Sequence, residues 1–305
     1  MKHGTLKHKF YDAVIFSAMK NVLGGRVRLM VSGGAPLHQE IKTYLTVIFS
    51  APIFEAFGMT EAAGNISCTA YWDRQGGHVG GPLPCIRMQL RDVPELNIFT
   101  DSIPPVGVIH IKGNSVFKGY YKNPEQTALV LDKDGWLKVG DVAVLRKNGS
   151  VEIIDRMTEM KKLQNGQFIA PQKLENQYLN TPLINQIYID VNSNYNFLVA
   201  VVSLKEEKLL EYAEVNGLHG SISDFVKSQD VEYGVLKQLE RVANSCKLDK
   251  VERIMRVHIT KEAFSYKNGL MTNTQKMKRT EIKARFRNEI SNLYISCISQ
   301  KIKEG

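Results

Sequence analysis

The sequence predicts a mixed α/β and α+β fold in three bodies, and three observations carry that expectation. A short apolar run, Val27 to Val31, passes through Ser32-Gly33-Gly34-Ala35-Pro36 into helical spacing at Leu37, Ile41, Tyr44, Leu45 and Ile48. That is the strand, tight turn and helix of a layered α/β region, expected up to residue 99. Short strand patterns fill 100–154, where Val142 to Leu145 and Val151 to Ile154 flank Asn148-Gly149; this hairpin signal predicts a small β-barrel or sheet. Ile153 to Pro171 then reads as a joint. An apolar run ends at Asp155-Arg156, a polar stretch follows, and Gly166 precedes a second apolar entry at which Pro171 opens a predicted helix. A separate α+β body is expected over 155–305, and ligands favour such junctions.

Composition sets the outer limits. With 305 residues, 43% hydrophobic and 23% charged, the chain can bury a substantial core. A formal charge of +9 and a pI near 9.2 imply attraction to polyanions: nucleotide phosphates, coenzyme A, an anionic membrane surface or nucleic acid. No apolar run is long enough to span a bilayer, and the basic start, Met1 to Lys9, is not followed by the hydrophobic core of a signal peptide. An intracellular setting is therefore expected. Cys68, Cys85, Cys246 and Cys297 have no C-x-x-C spacing, which argues against a zinc site or a disulfide framework.

The remaining elements follow in chain order. Phe10, Val14, Ile15, Ala18, Met19 and Val22 recur at three- and four-residue steps, predicting one helix with a buried face that stops at Gly24-Gly25. Pro52 to Phe57 reads as a strand, followed by Gly58-Met59-Thr60-Glu61. A hydroxyl and a carboxylate placed there can hold a phosphate and its Mg²⁺, which takes only one or two carboxylates beside phosphate oxygens. The same pair would serve equally as a helix N-cap. Beyond the joint, Ile184 to Val191 and Phe197 to Leu204 are predicted strands, and Val231 to Leu248 and Arg279 to Ile302 predicted helices. Lys276, Lys278, Arg279, Lys283, Arg285 and Arg287 form a basic cluster suited to phosphates, a membrane or plain solvation. A nucleic-acid binder is disfavoured, because no aromatic side chains interleave with basic ones on a strand pair.

Six stretches in order resemble the adenylate-forming enzymes, and among them the long-chain fatty acyl-CoA synthetases. Arg26 to Leu37 is similar to RxRLMxSGGAPL, and Phe54 to Glu61 to EGYGxTE. Gly107 to Tyr121 resembles GExxxxGxxxxxGYY, Gly135 to Asp141 resembles GWxxTGD, Asp155-Arg156 matches DR, and Asn268 to Arg279 resembles NGLLTPTFKxKR. The likeness runs from about Tyr11 to about Phe286. It implies that residues 1–99 are the C-terminal part of the large AMP-binding domain, 100–154 a β-barrel subdomain, and 155–305 a hinge with a mobile C-terminal domain.

The resemblance also implies roles. Gly33, Gly34, Ala35, Glu55, Ala56, Phe57, Gly58 and Met59 would form the adenine slot; Thr60 would hold the α-phosphate and Glu61 the magnesium. Asp141 would accept hydrogen bonds from the ribose hydroxyls, with Arg156 beside it. Lys276 would reach the α-phosphate and the attacking carboxylate, Thr158 would be the hinge, and Gly166 would line the pantetheine channel. The implied reaction joins a fatty acid to coenzyme A at the cost of ATP, through an acyl-adenylate. Relatives of this kind work in the cytoplasm or on the cytoplasmic face of an internal membrane such as the endoplasmic reticulum.

The sequence departs from the family pattern at Val108, Val139, Thr158, Asn273 and Gln275, none of which removes a charged ligand of the nucleotide. It also contains nothing like the Ser/Thr/Gly-rich phosphate loop TSGTTGxPKG. A cradle of backbone amides is a main way to neutralise a triphosphate, so weak catalysis is expected of these 305 residues alone. A ligase with its front absent and a short non-catalytic relative that binds adenylate, coenzyme A, a membrane or a protein partner are the two readings the sequence leaves.

Overall fold

The computed structural model describes residues 9–304 apart from His38 and Arg74. The basic start, Met1 to His8, lies outside the described residues. The chain divides into two compact units, Met1–Thr158 and Glu159–Gly305.

In the first unit, helices α1 (Lys9–Val14) and α2 (Phe16–Val22) precede β1 (Met30–Gly33), α3 (Gln39–Phe49), β2 (Ile53–Met59), β3 (Gly64–Cys68) and β4 (Gly81–Pro82). The sheet order is β1-β2-β3-β4, with β1 and β2 parallel and the other pairs antiparallel. The expected single helix over Phe10 to Leu23 is two short ones broken at Ile15, and its apolar residues Phe10, Val14, Met19 and Val22 are exposed. Helix α3 is likewise inverted. Lys42 and Thr46 are its buried residues, whereas Ile41 and Tyr44 face out. Apolar spacing found the helices, and the polar partner of Lys42 decided which face turned inward.

A second sheet of the same unit contains β5 (Ile86–Arg91), β6 (Val106–Gly113), β7 (Leu137–Leu145) and β8 (Val151–Arg156), paired antiparallel in chain order. Helix α4 (Pro124–Val130) lies between β6 and β7, with Asn123 as its N-cap. The β7–β8 hairpin turns at Gly149, whose φ of +79° only glycine adopts cheaply. The barrel expected over 100–154 is instead an open four-stranded sheet with β5 and β8 at its edges. Closing it would need those edges to pair, and among the described residues they do not. Ala62 and Ile66 share one apolar core with Ile86, Ile109, Ile111, Leu137, Ala143 and Val151, which joins the two sheets.

The second unit begins with the small ribbon β9 (Lys161–Lys162) and β10 (Phe168–Ile169), then α5 (Pro171–Tyr178), opened by its proline. Strands β11 (Ile184–Asp190) and β12 (Leu198–Leu204) follow, then α6 (Glu206–Val215), α7 (Ile222–Phe225), α8 (Gln229–Ser245) and β13 (Ile254–Thr260). Helices α9 (Arg279–Arg285) and α10 (Arg287–Glu304) end the unit, the predicted single helix being broken at Phe286. Strand β12 is central, antiparallel to β11 and parallel to β13. Its alternate side chains enter two cores: Leu198, Ala200 and Val202 pack with Leu209, Val235 and Leu239, while Val199 and Val201 pack with Phe264, Ile282 and Tyr294. A sheet covered on both faces explains the unbroken apolar run of β12.

Candidate functional site

Because Gly33 pairs with Ala56, the turn after β1 and the C-terminal half of β2 open at one edge of the first sheet. There an open cleft of about 450 Å³ is lined by Gly33, Gly34, Ala56, Gly58, Met59 and Thr60, with Ala63, Gly64 and Asn65 opposite. Small residues are required at two of these positions. A Cβ on Gly58 would collide with the Gly64 carbonyl oxygen, and Gly34 has a φ of +84°. The backbone of the cleft is therefore bare, as a flat ring or a phosphate would need in order to approach it.

Not every residue expected in the adenine slot turns its side chain this way. The Glu55 carboxylate is buried in an ion pair with Lys42, Nζ to Oε1 at 2.8 Å, and Lys42 also donates to the Gln75 carbonyl. Phe57 packs against the core that joins the two sheets. Glu55 and Phe57 are not among the residues that line the cleft, while Ala56 and Gly58 are, the alternation that a strand imposes. Ala35 is exposed just beyond the turn.

Thr60 and Glu61 start a single 3₁₀ turn, Thr60–Ala62, after an extended Met59. Met59, not Thr60, occupies the cap position, and no side-chain cap bond is present. Thr60 is exposed at the cleft, free of the capping role open to it in the sequence. The Glu61 main chain and side chain are both held: its carbonyl accepts from Phe117 N at 2.7 Å, and Oε1 accepts from the Tyr120 hydroxyl at 2.8 Å. The hydrogen bond to Glu61, some burial and the glutamate charge raise the Tyr120 phenol above its ordinary value.

Asp141 and Arg156 meet across the β7–β8 ladder, with Arg156 Nε 3.9 Å from Asp141 Oδ1. Asp141 is mostly buried, and the Arg156 side chain is 64% exposed. Its neighbour Asp155 is buried and accepts from the Arg156 backbone N–H at 2.7 Å. Within the Asp-Arg motif the aspartate thus fixes the strand end and the arginine points outward. Val108 is fully buried in β6, and Val139 packs against the core that joins the two sheets, which accounts physically for apolar residues at those two departures.

Thr158 is the last residue of the first unit. In the second, Gly166 has a φ of +89° in the turn between β9 and β10 and donates to the Leu163 carbonyl. Lys276 is exposed at the end of a tight turn: Thr272 N donates to its carbonyl at 2.8 Å, and its own N–H donates to Thr272 Oγ1 at 3.0 Å. Asn273 is exposed in this turn, and Gln275 takes a φ of +60°. Half of the basic cluster is committed internally. Arg279 bonds Glu175 and lies 3.2 Å from Glu159, Lys283 pairs with Asp190, and Arg285 with Glu262.

Sequence reasoning missed Lys42, the role of Tyr120 and the acidic partners of Arg279. Tyr120 had a signal, since it sits in the Gly-Tyr-Tyr stretch; the pairings of Lys42 and Arg279 had none, because their partners come from other elements. Among the described residues no group of three or more His, Cys, Asp or Glu could hold a metal ion, and no helix is long and apolar enough to cross a membrane.

Comparison with known proteins places this geometry. The model of the AMP-binding enzyme family matches residues 1–121. The fold is that of an adenylate-forming domain: the A-PCP didomain of carboxylic acid reductase from Segniliparus rugosus, solved in complex with AMP, superposes with a TM-score of 0.78 at 29% identity, over 97% of this chain and 39% of that one. Over residues 1–121 this chain is similar to the AMP-binding enzymes. More particularly, it is 38% identical over 297 residues to long-chain-fatty-acid–CoA ligase 5 of Mus musculus, covering 97% of this chain and 43% of the relative. Against long-chain-fatty-acid–CoA ligase 1 of Homo sapiens the identity is 36%, over 96% of this chain and 42% of the relative. The chain thus spans about two fifths of the length of the curated relatives it matches.

Proposed function

We propose that this chain carries nucleotide and hinge machinery of an AMP-forming long-chain fatty acid–CoA ligase. The observation that carries the reading is the bare-backbone cleft, where family-type glycines from β1 and β2 stand beside Thr60 and Glu61. In this reading the adenine lies against Gly33, Gly34, Ala35 and the backbone of Glu55 to Met59. Thr60 donates to the α-phosphate. Asp141, held by its strand, accepts from the ribose hydroxyls, and the exposed Arg156 folds against the same sugar.

Glu61 fits a Mg²⁺ that arrives on the nucleotide. One carboxylate is present, Oε1 is engaged by Tyr120, and Oε2 has no hydrogen-bond partner among the described residues. Such a site is too poor to hold the cation alone, which agrees with the habit of Mg²⁺ to bind through one or two carboxylates and phosphate oxygens. When bound, the ion neutralises phosphate charge during attack.

Lys276 is the residue assigned to adenylation. A fatty acid carboxylate attacks the α-phosphorus, pyrophosphate leaves, and an ammonium aimed where negative charge grows contributes about a hundredfold to a thousandfold in rate. Rotation about Thr158 then withdraws Lys276 and brings the Gly166 turn to the pantetheine path, where the coenzyme A thiol attacks the acyl carbon and AMP leaves. The unit boundary after Thr158 and the positive φ of Gly166 support these two assignments. The same reading places the protein in the cytoplasm or at the cytoplasmic face of an internal membrane.

The test is Lys276→Ala in a protein extended to the length of the relatives. Loss of acyl-adenylate formation, with thioester formation from supplied acyl-adenylate retained, supports the assignment. Unchanged adenylation rejects it.

A further inference from the structure

Glu61 is held by a segment that no assigned role uses. Phe117 to Tyr121 crosses from the second sheet of the first unit and grips the 3₁₀ turn at two points. The Phe117 N–H donates to the Glu61 carbonyl at 2.7 Å, and the Tyr120 hydroxyl donates to Glu61 Oε1 at 2.8 Å. The grip is itself braced. Phe117 and Tyr120 stack edge to face at 4.9 Å, and the Tyr120 N–H donates to Thr127 Oγ1 of α4 at 2.9 Å. Gly119, with a φ of +142°, lies so close to Thr127 that a Cβ would come within 2.7 Å of its methyl group. A tyrosine placed by this much structure is held for its hydroxyl, because a ring serving only as packing would need no fixed position for Oη.

We propose that Tyr120 is a positioning residue for Glu61, occupying Oε1 so that Oε2 is the oxygen presented to a divalent cation carried by a nucleotide phosphate. The inference rests on the assignment of Glu61 given above. A free glutamate samples several rotamers and can approach a cation through either oxygen; one hydrogen bond from a braced hydroxyl removes most of that freedom before the nucleotide arrives. Outer partners of this kind orient a metal ligand, and their loss typically lowers metal affinity by about 10- to 100-fold.

The experiment is isothermal titration of the full 305-residue chain with ATP, once in Mg²⁺ and once in EDTA, for the wild type, Tyr120→Phe, Glu61→Gln and the double variant. The gain in affinity on adding Mg²⁺ is the quantity that matters. Tyr120→Phe keeps the ring on Phe117, so the affinity in EDTA should equal wild type while the Mg²⁺-dependent gain falls roughly tenfold, the low end of what loss of an outer partner costs. Glu61→Gln should lose the gain, and the double variant should lose no more than Glu61→Gln does. A Tyr120→Phe chain that retains the full gain, beside a Glu61→Gln chain that loses it, overturns the positioning role and leaves Glu61 as the cation ligand. A Glu61→Gln chain that keeps the gain, or a wild type without one, overturns the Glu61 assignment and this inference with it. An equal drop in EDTA and in Mg²⁺ for Tyr120→Phe assigns the tyrosine a purely structural role and also overturns the proposal.

Discussion

The front of the first unit and the body of the second are built on opposite terms. In the second unit the β11-β12-β13 sheet is covered on both faces, and even its buried charges are matched: Glu175 by Arg279, and Asp190 by Lys283, Tyr188 and Tyr294. In the first, α1 to α3 and β1 leave Phe10, Val14, Met19, Val22, Leu29, Val31, Ile41 and Tyr44 exposed. An apolar surface of this extent is ordinarily an interaction surface or an aggregation liability. The difference teaches that stability and the bare cleft lie in different places. The glycines of the cleft sit on the thinly covered sheet, whereas Lys276 projects from the well-covered unit.

The comparison is broken most forcefully by attacking the second unit where its charges are buried. Arg279→Met would remove the guanidinium that bonds Glu175, about 1% exposed, and breaking a buried pair costs about 3–5 kcal/mol. Urea unfolding followed by far-UV circular dichroism should show that loss. Both tryptophans, Trp72 and Trp136, lie in the first unit, so their fluorescence transition should stay in place. Movement of both transitions together would mean that the units do not unfold separately.

A paired core substitution sharpens the same contrast. Leu198→Ala, fully buried at the start of β12, is expected to cost about 2–5 kcal/mol. Ile41→Ala, about half exposed on α3, is expected to stay within about 0.5 kcal/mol of the wild type. Equal costs at the two sites would show that α3 is covered in solution.

This contrast also marks how much could be read from the chain. The strands on either side of Asn192 to Asn196, the hairpin at Gly149 and the helix opened by Pro171 all follow from local rules, because an apolar run bounded by a polar turn, a glycine turn and a proline start each act over a few residues. Strand β13 and helix α6 carried weaker patterns and were not anticipated. The direction of α3 was illegible for a different reason. Its apolar residues mark a face, but the ion pair between Lys42 and Glu55, thirteen residues apart, turns the polar face inward. The site was legible as motif and not as arrangement. Nothing local tells that Tyr120 meets Glu61 across fifty-nine residues, or that Glu55 turns from the cleft into an ion pair.

Two smaller effects test the cleft and the pH response. Gly58→Ala forces a methyl group onto the Gly64 carbonyl, so AMP affinity should fall by roughly tenfold or more, a loss of about 1.4 kcal/mol, while the second unit unfolds as before. Titration calorimetry with AMP measures the first and circular dichroism the second. Burial lowers His258 below its ordinary value of 6.5, outweighing Glu289 and Glu232, which raise it. The unfolded chain then binds the proton more readily than the folded one, so the second unit loses stability as pH falls through 6.5. Replacing His258 with Gln should flatten that fall, by less than any effect above.

The central claim, that the cleft between β1 and β2 holds an adenine nucleotide, is tested most directly by titrating AMP into the ¹⁵N-labelled chain and following its backbone amide resonances. Saturable shifts concentrated at Gly33, Gly34, Gly58 and Thr60, with Asp141 and Arg156 moving alongside, are the predicted result. Absence of shifts, or shifts confined to residues 159–305, would contradict it.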